Sequence, residues 1–374
     1  MRTTGAQRMS ASNIQVPRFD LVIGSMVHRA PALWSRLGAW ESRYLGPQLE
    51  TIEIEKPIFI AGLARAGSTV LLEFLDAFPE TASHRYRDFP LIFTPYWWNR
   101  FIELSPGRQS APSERAHKDR IKVSSESPEA MEEPLWSAFF PRVHSRQEET
   151  HVLDASSRDA HFDAFYQDHI RKVLLVRGGS RYLAKSNYSV TRLQYLLSLF
   201  PDARFVIPIR APLSHAASLA KQHALFCSAS EENRAVREHL RNVGHFEFGP
   251  DRQAVNTGDF TRVREIESHW ARGEEALGLA KYWSLIYRFV WQKLADDPAL
   301  RAASIIIRYE DLCTSPHATI RRLIDHCELK PRAEIIADYV NRFTPPTYYK
   351  PPFSDEEQAQ IRSLTRDVAE LYGC

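Results

Sequence analysis

Residues 57–78 constrain this chain more than any other stretch. A short apolar run, PIFIA, leads into the small-residue loop Gly-Leu-Ala-Arg-Ala-Gly-Ser-Thr at 62–69, and Val70, Leu71, Leu72, Phe74, Leu75 and Phe78 then recur at helical spacing. That pattern is a strand, a glycine turn and a helix. Such a turn aims backbone N–H groups and the positive end of a helix at one point, which makes it an anion site. Gly62 and Gly67 stand at the separation of a Walker A loop, but Ser68 occupies the place of the lysine that serves the β- and γ-phosphates of a nucleoside triphosphate. The cation is inside the loop instead, at Arg65.

Similar units follow. Residues 204–209 (RFVIPI) end in Arg210, and Pro212, which suits a first helical turn, opens a helix carrying Leu213, Ala216, Ala217, Leu219 and Ala220. Residues 303–307 (ASIII) precede Arg-Tyr-Glu-Asp-Leu and a helix expected over 316–326. Residues 181–185 (RYLAK) read as a short strand, and 260–295 as a long helical segment rich in Trp and Tyr. Strands alternating with helices predict an α/β fold of three layers, P-loop-like, with a central, mostly parallel sheet between helices and ligands at the carboxyl ends of the strands. Residues 51–374 are expected to form one domain. Two stretches, about 94–150 and 226–259, break its rhythm and read either as insertions forming an acceptor lid or as surface elaboration. Residues 1–50 form a helical extension, because Val22, Ile23, Met26, Val27, Leu33, Trp34 and Leu37 fall at roughly helical spacing. It either packs on the main domain or lies on a membrane surface.

Arg65-Ala66-Gly67-Ser68-Thr69 resembles the first donor-binding signature of the sulfotransferases that use 3′-phosphoadenosine-5′-phosphosulfate (PAPS), usually Arg/Lys-Ser-Gly-Thr-Thr; it departs from it at Ala66 and Ser68. The second signature of that family is an arginine at a strand's end with a serine eight positions on, and Arg210 and Ser218 reproduce it. Lys185-Ser186-Asn187 and Tyr309-Glu310-Asp311 resemble further family stretches. The resemblance runs from about 57 to 324. It implies PAPS as co-substrate and 3′,5′-bisphosphate (PAP) as product, with no metal required. It also implies backbone and hydroxyl groups of Ala66, Gly67, Ser68 and Thr69 on the 5′-phosphate, Arg210 and Ser218 on the 3′-phosphate, and Arg65 and Lys185 on the transferring group.

The acceptor is a hydroxyl on a glycan, a lipid or a small-molecule natural product, and its proton needs a base. In several branches of the family a carboxylate downstream of the loop serves; counting from Arg65 reaches Asp88, with His84 as its rival because an imidazole titrates nearer neutrality. His117, His215 and His245 also compete. Glu132 and Glu133 line an acceptor cleft or sit on a solvated helix face, and Tyr96-Trp97-Trp98 stack on an acceptor or simply pack. A P-loop kinase or nucleoside triphosphatase, and a catalytically inactive nucleotide-binding module, are the alternative readings.

Bulk properties fit a soluble globular protein: 44% hydrophobic and 25% charged residues, with 48 basic against 46 acidic side chains, give no uniform field for nucleic acid. Four cysteines without metal-ligand spacing fit a reducing compartment, and no apolar run approaches the roughly 20 residues of a transmembrane helix, so the chain reads as cytoplasmic, with a homodimer compatible.

Overall fold

The computed structural model describes residues 14, 16–104, 113–114, 122–343 and 351–374. Two helices, α1 (Arg18–Arg29) and α2 (Pro31–Glu50), precede strand β1 (Ile58–Ala61), helix α3 (Ser68–Asp76) and the two-residue strand β2 (Thr81–Ala82). The first excursion follows: α4 (Pro95–Leu104), an antiparallel pair of β3 (Ser113–Glu114) and β4 (Lys122–Val123), and α5 (Glu133–Phe139). Helix α6 (Ala160–Arg177) returns the chain to strand β5 (Arg181–Ser186), then α7 (Leu193–Leu199), β6 (Arg204–Ile209), α8 (Pro212–Glu232) and α9 (Arg234–Asn242). Helices α10 (Phe260–Ala271), α11 (Glu275–Asp296) and α12 (Pro298–Ala302) lead to strand β7 (Ser304–Arg308). Four helices close the chain: α13 (Tyr309–Thr314), α14 (Pro316–Cys327), α15 (Ala333–Val340) and α16 (Asp355–Tyr372).

The main sheet has the order β2-β5-β1-β6-β7, and every pairing in it is parallel. Alternate side chains feed opposite layers, as the pleat requires. Phe59, Tyr182, Ala184, Phe205 and Ile207 join a core with residues of α6, α7, α11 and α16. Ile58, Ile60, Leu183, Val206 and Ile307 join another with α3, α14 and α15. Both faces of the sheet are therefore covered, which is why its strands are near-continuous apolar runs.

Two boundaries differ from the sequence reading. Helix α8 runs to Glu232, because Leu225, Phe226 and Ala229 continue its buried face, so irregular chain begins later than residue 226. The segment 260–295 is two helices, broken where Gly273 takes φ +78°.

The N-terminal helices pack on the domain through one face. Gly38 of α2 comes so close that an added Cβ would lie 2.6 Å from the carbonyl oxygen of Phe93. Beside it, Glu41 and Lys172 form a fully buried ion pair at 3.1 Å. Lys172 also donates to the Gly38 carbonyl at 3.0 Å, and the other Glu41 oxygen accepts from the Trp97 N–H at 2.6 Å. One carboxylate thus ties α2 to α4 and α6.

Candidate active site

The loop after β1 is shaped by what crowds it. A Cβ on Gly62 would sit 2.8 Å from Pro208 Cγ of β6. Arg65 and Gly67 both take positive φ, +71° and +97°, and a Cβ on Gly67 would strike the Tyr309 ring at 2.7 Å. Gly67 then caps α3, whose first residues, Ser68 and Thr69, are buried. A glycine is required there twice over, by φ and by space. His215 of α8, wholly buried, bonds the Ala64 carbonyl through Nε2 at 2.8 Å. Burial pushes its imidazole down to about 3, so it braces the loop as a neutral ring.

Three strand ends deliver side chains to this turn. Arg210 follows β6 and donates to the Arg65 carbonyl at 3.4 Å, while its guanidinium lies 5.1 Å from the centre of the Tyr309 ring. Arg65 Nε donates to Ser218 Oγ of α8 at 3.2 Å. After β7, Glu310 accepts from the Ala211 N–H at 3.0 Å, fixing the start of α8 against the Tyr309 turn. From behind, the α11 indole of Trp283 donates to the Arg210 carbonyl at 3.2 Å and Tyr287 to that of Pro208 at 3.1 Å.

Lys185, near the end of β5 and in register with Ile60, donates to Thr69 Oγ1 at 3.2 Å. It pairs with Glu129 at the same distance, and the Tyr86 hydroxyl donates to the other Glu129 oxygen. His245 lies within electrostatic reach of both Glu129 and Lys185. Its Nδ1 is 3.1 Å from Glu247, whose other oxygen accepts from Asn187 at 2.5 Å, two residues beyond Lys185. The His245 side chain keeps 28% of its surface exposed, whereas those of His84 and Asp88 keep 2% and 1%. Burial lowers the His245 pKa, but the charge and hydrogen bond of Glu247 outweigh it and hold the imidazole above its ordinary value.

Residues 57–264, more than half of the chain, match the sulfotransferase family model. The chain belongs to the sulfotransferase family. Among solved structures it is similar to a sulfotransferase from Mycobacterium avium, with 13% identity and a TM-score of 0.53 over 96% of this chain and 87% of that one. A second, from Mycobacterium tuberculosis H37Rv, is 14% identical with a TM-score of 0.47 over 93% and 87%. At 13% identity the likeness to the Mycobacterium avium structure concerns the fold alone. No curated protein sequence matches.

In this sulfotransferase the residues singled out from the sequence fall into two groups. Arg65, Ala66, Gly67, Ser68, Thr69, Lys185, Arg210 and Ser218 come together at the turn. Asp88 and His84 lie in a separate buried network: Asp88 accepts from Arg177 at 2.5 Å, Asn99 at 3.0 Å and the Arg85 N–H at 2.9 Å. His84 uses Nδ1 on Asp88 at 3.1 Å and Nε2 on His169 at 2.9 Å. Both ring nitrogens are engaged. That network reaches the site indirectly, for the His84 carbonyl accepts from the Glu129 N–H at 3.1 Å.

Glu132 and Glu133 are neither cleft-lining nor solvated. Glu132 accepts from Tyr166 and Tyr182, and burial raises its pKa. Glu133 holds Arg192 through two bonds, at 2.8 and 2.7 Å, and His144 at 2.5 Å. Trp98 stacks on Phe19 and Trp97 meets Tyr44, so these two aromatics pack against the N-terminal helices. His117 lies outside the described residues. Glu129 and Glu247 were not singled out from the sequence; their contacts with Lys185 and Asn187 join residues 56 and 60 positions apart, which local spacing does not reveal.

Proposed function

We propose that this sulfotransferase moves the sulfuryl group of PAPS to a hydroxyl acceptor, a glycan, a lipid or a small-molecule natural product, and releases PAP. The observation that carries the reading is the meeting of Arg65, Arg210, Ser218 and Lys185 around a helix-capping glycine turn that lacks the Walker lysine. Such a site suits a donor carrying phosphate at two positions, because cations are supplied from two sides of one anion-binding turn.

In this proposal the N–H groups about Gly67 with the Ser68 and Thr69 hydroxyls hold the 5′-phosphate, and Arg210 with Ser218 holds the 3′-phosphate. Arg65 leans on Ser218, so we group it with the 3′-phosphate and leave the transferring group to Lys185. Sulfuryl transfer is chiefly positioning and charge stabilisation of an in-line displacement. The acceptor oxygen bonds to sulfur as the sulfur–oxygen bond to the 5′-phosphate breaks, and Lys185 meets the charge left on that oxygen. We assign the acceptor's proton to Nε2 of His245, with Glu247 steadying Nδ1–H and stabilising the imidazolium that forms. Glu129 positions Lys185 between turns.

The test is thermal melting with PAP. At a hundredfold excess over Kd a ligand of the folded state adds about 2.7 kcal/mol, a readily measured rise in Tm. Arg210→Ala should cut that rise by at least half, since a charge-assisted phosphate contact carries about 1.5–3 kcal/mol. An unchanged Tm at millimolar PAP, or Mg²⁺-dependent ATP turnover, refutes the donor assignment. PAP binding without transfer from labelled PAPS to any of a broad acceptor set supports the inactive module instead.

A further inference from the structure

Most of the large apolar side chains that remain exposed on the described residues belong to α1, α2 and α4. On α2 they are Leu33, Trp40 and Tyr44, 54%, 63% and 71% exposed and spaced i, i+7, i+11, which is one stripe of a helix. The opposite side carries Gly38, Glu41, Ser42 and Leu45, all buried against the domain. Helix α1 repeats the arrangement, with Phe19, Val22 and Met26 outward and Gly24 and Val27 inward. Helix α4 joins the two stripes: Trp97 lies 6.1 Å from Tyr44, and Trp98 stacks between Phe19 and the exposed Phe101, at 5.8 and 5.6 Å.

The charges have a pattern too. Arg36 and Arg43 flank the α2 stripe on one side at helical spacing, and Arg18 and Arg29 flank that of α1 in the same sense. All four are exposed. The acidic residues of the two helices are Asp20, Glu41 and Glu50, and Glu41 is consumed by Lys172 inside the fold.

We infer that the outer face of α1, α2 and α4 docks this enzyme on an anionic lipid bilayer, with the apolar stripes in the headgroup layer and the flanking arginines on lipid phosphates. Trp and Tyr beside Arg around a leucine-bearing stripe is the makeup of helices that lie in the membrane interface. No helix among the described residues is long and apolar enough to cross a membrane, and none is needed. A second copy of the chain is the weaker occupant, because an antiparallel self-contact through this face sets arginines against arginines.

The experiment is co-sedimentation of the full chain with phosphatidylcholine vesicles, with and without phosphatidylglycerol. Binding should require the anionic lipid, weaken with added salt, and fall about fivefold for each of Arg36→Gln and Arg43→Gln. Trp40→Ser with Tyr44→Ser should remove binding even at low salt while leaving the melting temperature and its rise with PAP unchanged. Equal sedimentation with both vesicle types, or with neither, overturns the inference. So does a dimer in light scattering that Trp40→Ser dissolves, which would give the face to a second copy.

Discussion

Replacing Glu247 by glutamine keeps the size of the side chain and removes the charge, and its single acceptor oxygen can keep the hydrogen bond from His245 or that from Asn187 but not both. Glu247 is ionised in the fold: burial raises its carboxyl, but His245 and Asn187 outweigh that and hold it below its ordinary value. Its charge is the main influence raising His245. A general base must be deprotonated, so kcat/KM should climb as pH rises through the His245 pKa, above 6.5, and level off beyond it. In Glu247→Gln burial acts with less opposition, and the acidic limb should move to lower pH. An opposite charge at this range is worth one to three pH units, and the 28% exposure of the ring argues for the lower part, about one to two. The plateau should fall as well, because a weaker base transfers the proton less readily, whereas His245→Ala should cost about 10²–10⁴ at every pH. The assay is initial-rate transfer from labelled PAPS across pH, with PAP-induced melting shifts confirming an intact donor site. An acidic limb that stays in place, or moves up, refutes the dyad; full activity in His245→Ala removes the residue from the chemistry.

Two further outcomes concern buried charge. Lys172→Met should lower unfolding stability by about 3–5 kcal/mol in urea, because Glu41, whose pKa burial already raises, is left in the interior without its cation; a loss under 1 kcal/mol would mean that α2 is held by packing alone. Asp88→Asn should destabilise similarly, by about 3–5 kcal/mol, while PAP still raises Tm, since Arg177 loses its partner. Burial pushes the Asp88 carboxyl upward, but the hydrogen bond from His84 and the charge of Arg177 more than offset it and depress its pKa. The stability it contributes is therefore present above its unfolded value of 3.8 and lost as pH falls through the lower folded value. A stable Asp88→Asn protein that binds PAP without turnover would restore Asp88 as the base.

What could be read from the sequence was what repeats locally. The turn at 62–69, the arginine ending 204–210 and the serine two turns into the next helix are each set by neighbouring residues, and all three meet in the fold. The parallel sheet followed from apolar runs alternating with helical ones, although β2, only two residues long, carried no period to detect. Asp88 was a different matter. Counting along the chain finds a carboxylate at the right distance but cannot tell one that faces a cleft from one that Arg177, 89 positions away, has locked inside. The same blindness hid Glu133, whose Arg192 partner is 59 positions on, and Glu129, which the Arg85–Pro128 bridge brings beside Lys185. Paired acids look alike until their partners are placed.

The Tyr309 ring against Gly67 joins residues 242 positions apart, and Glu310 is bound to the start of α8. Both residues lie beyond residue 264, where the match to the family model ends. A growing chain can therefore make the turn, the arginine and the serine early and still have no finished pocket. The last strand of the sheet must be added before the loop is closed from above. Truncation after residue 264 would leave every residue assigned above to the donor in the polypeptide while removing Tyr309 and Glu310, which crowd Gly67 and hold the start of α8. In the proposed reading, donor binding therefore depends on the turn that follows β7, although none of the residues assigned to the donor lies there.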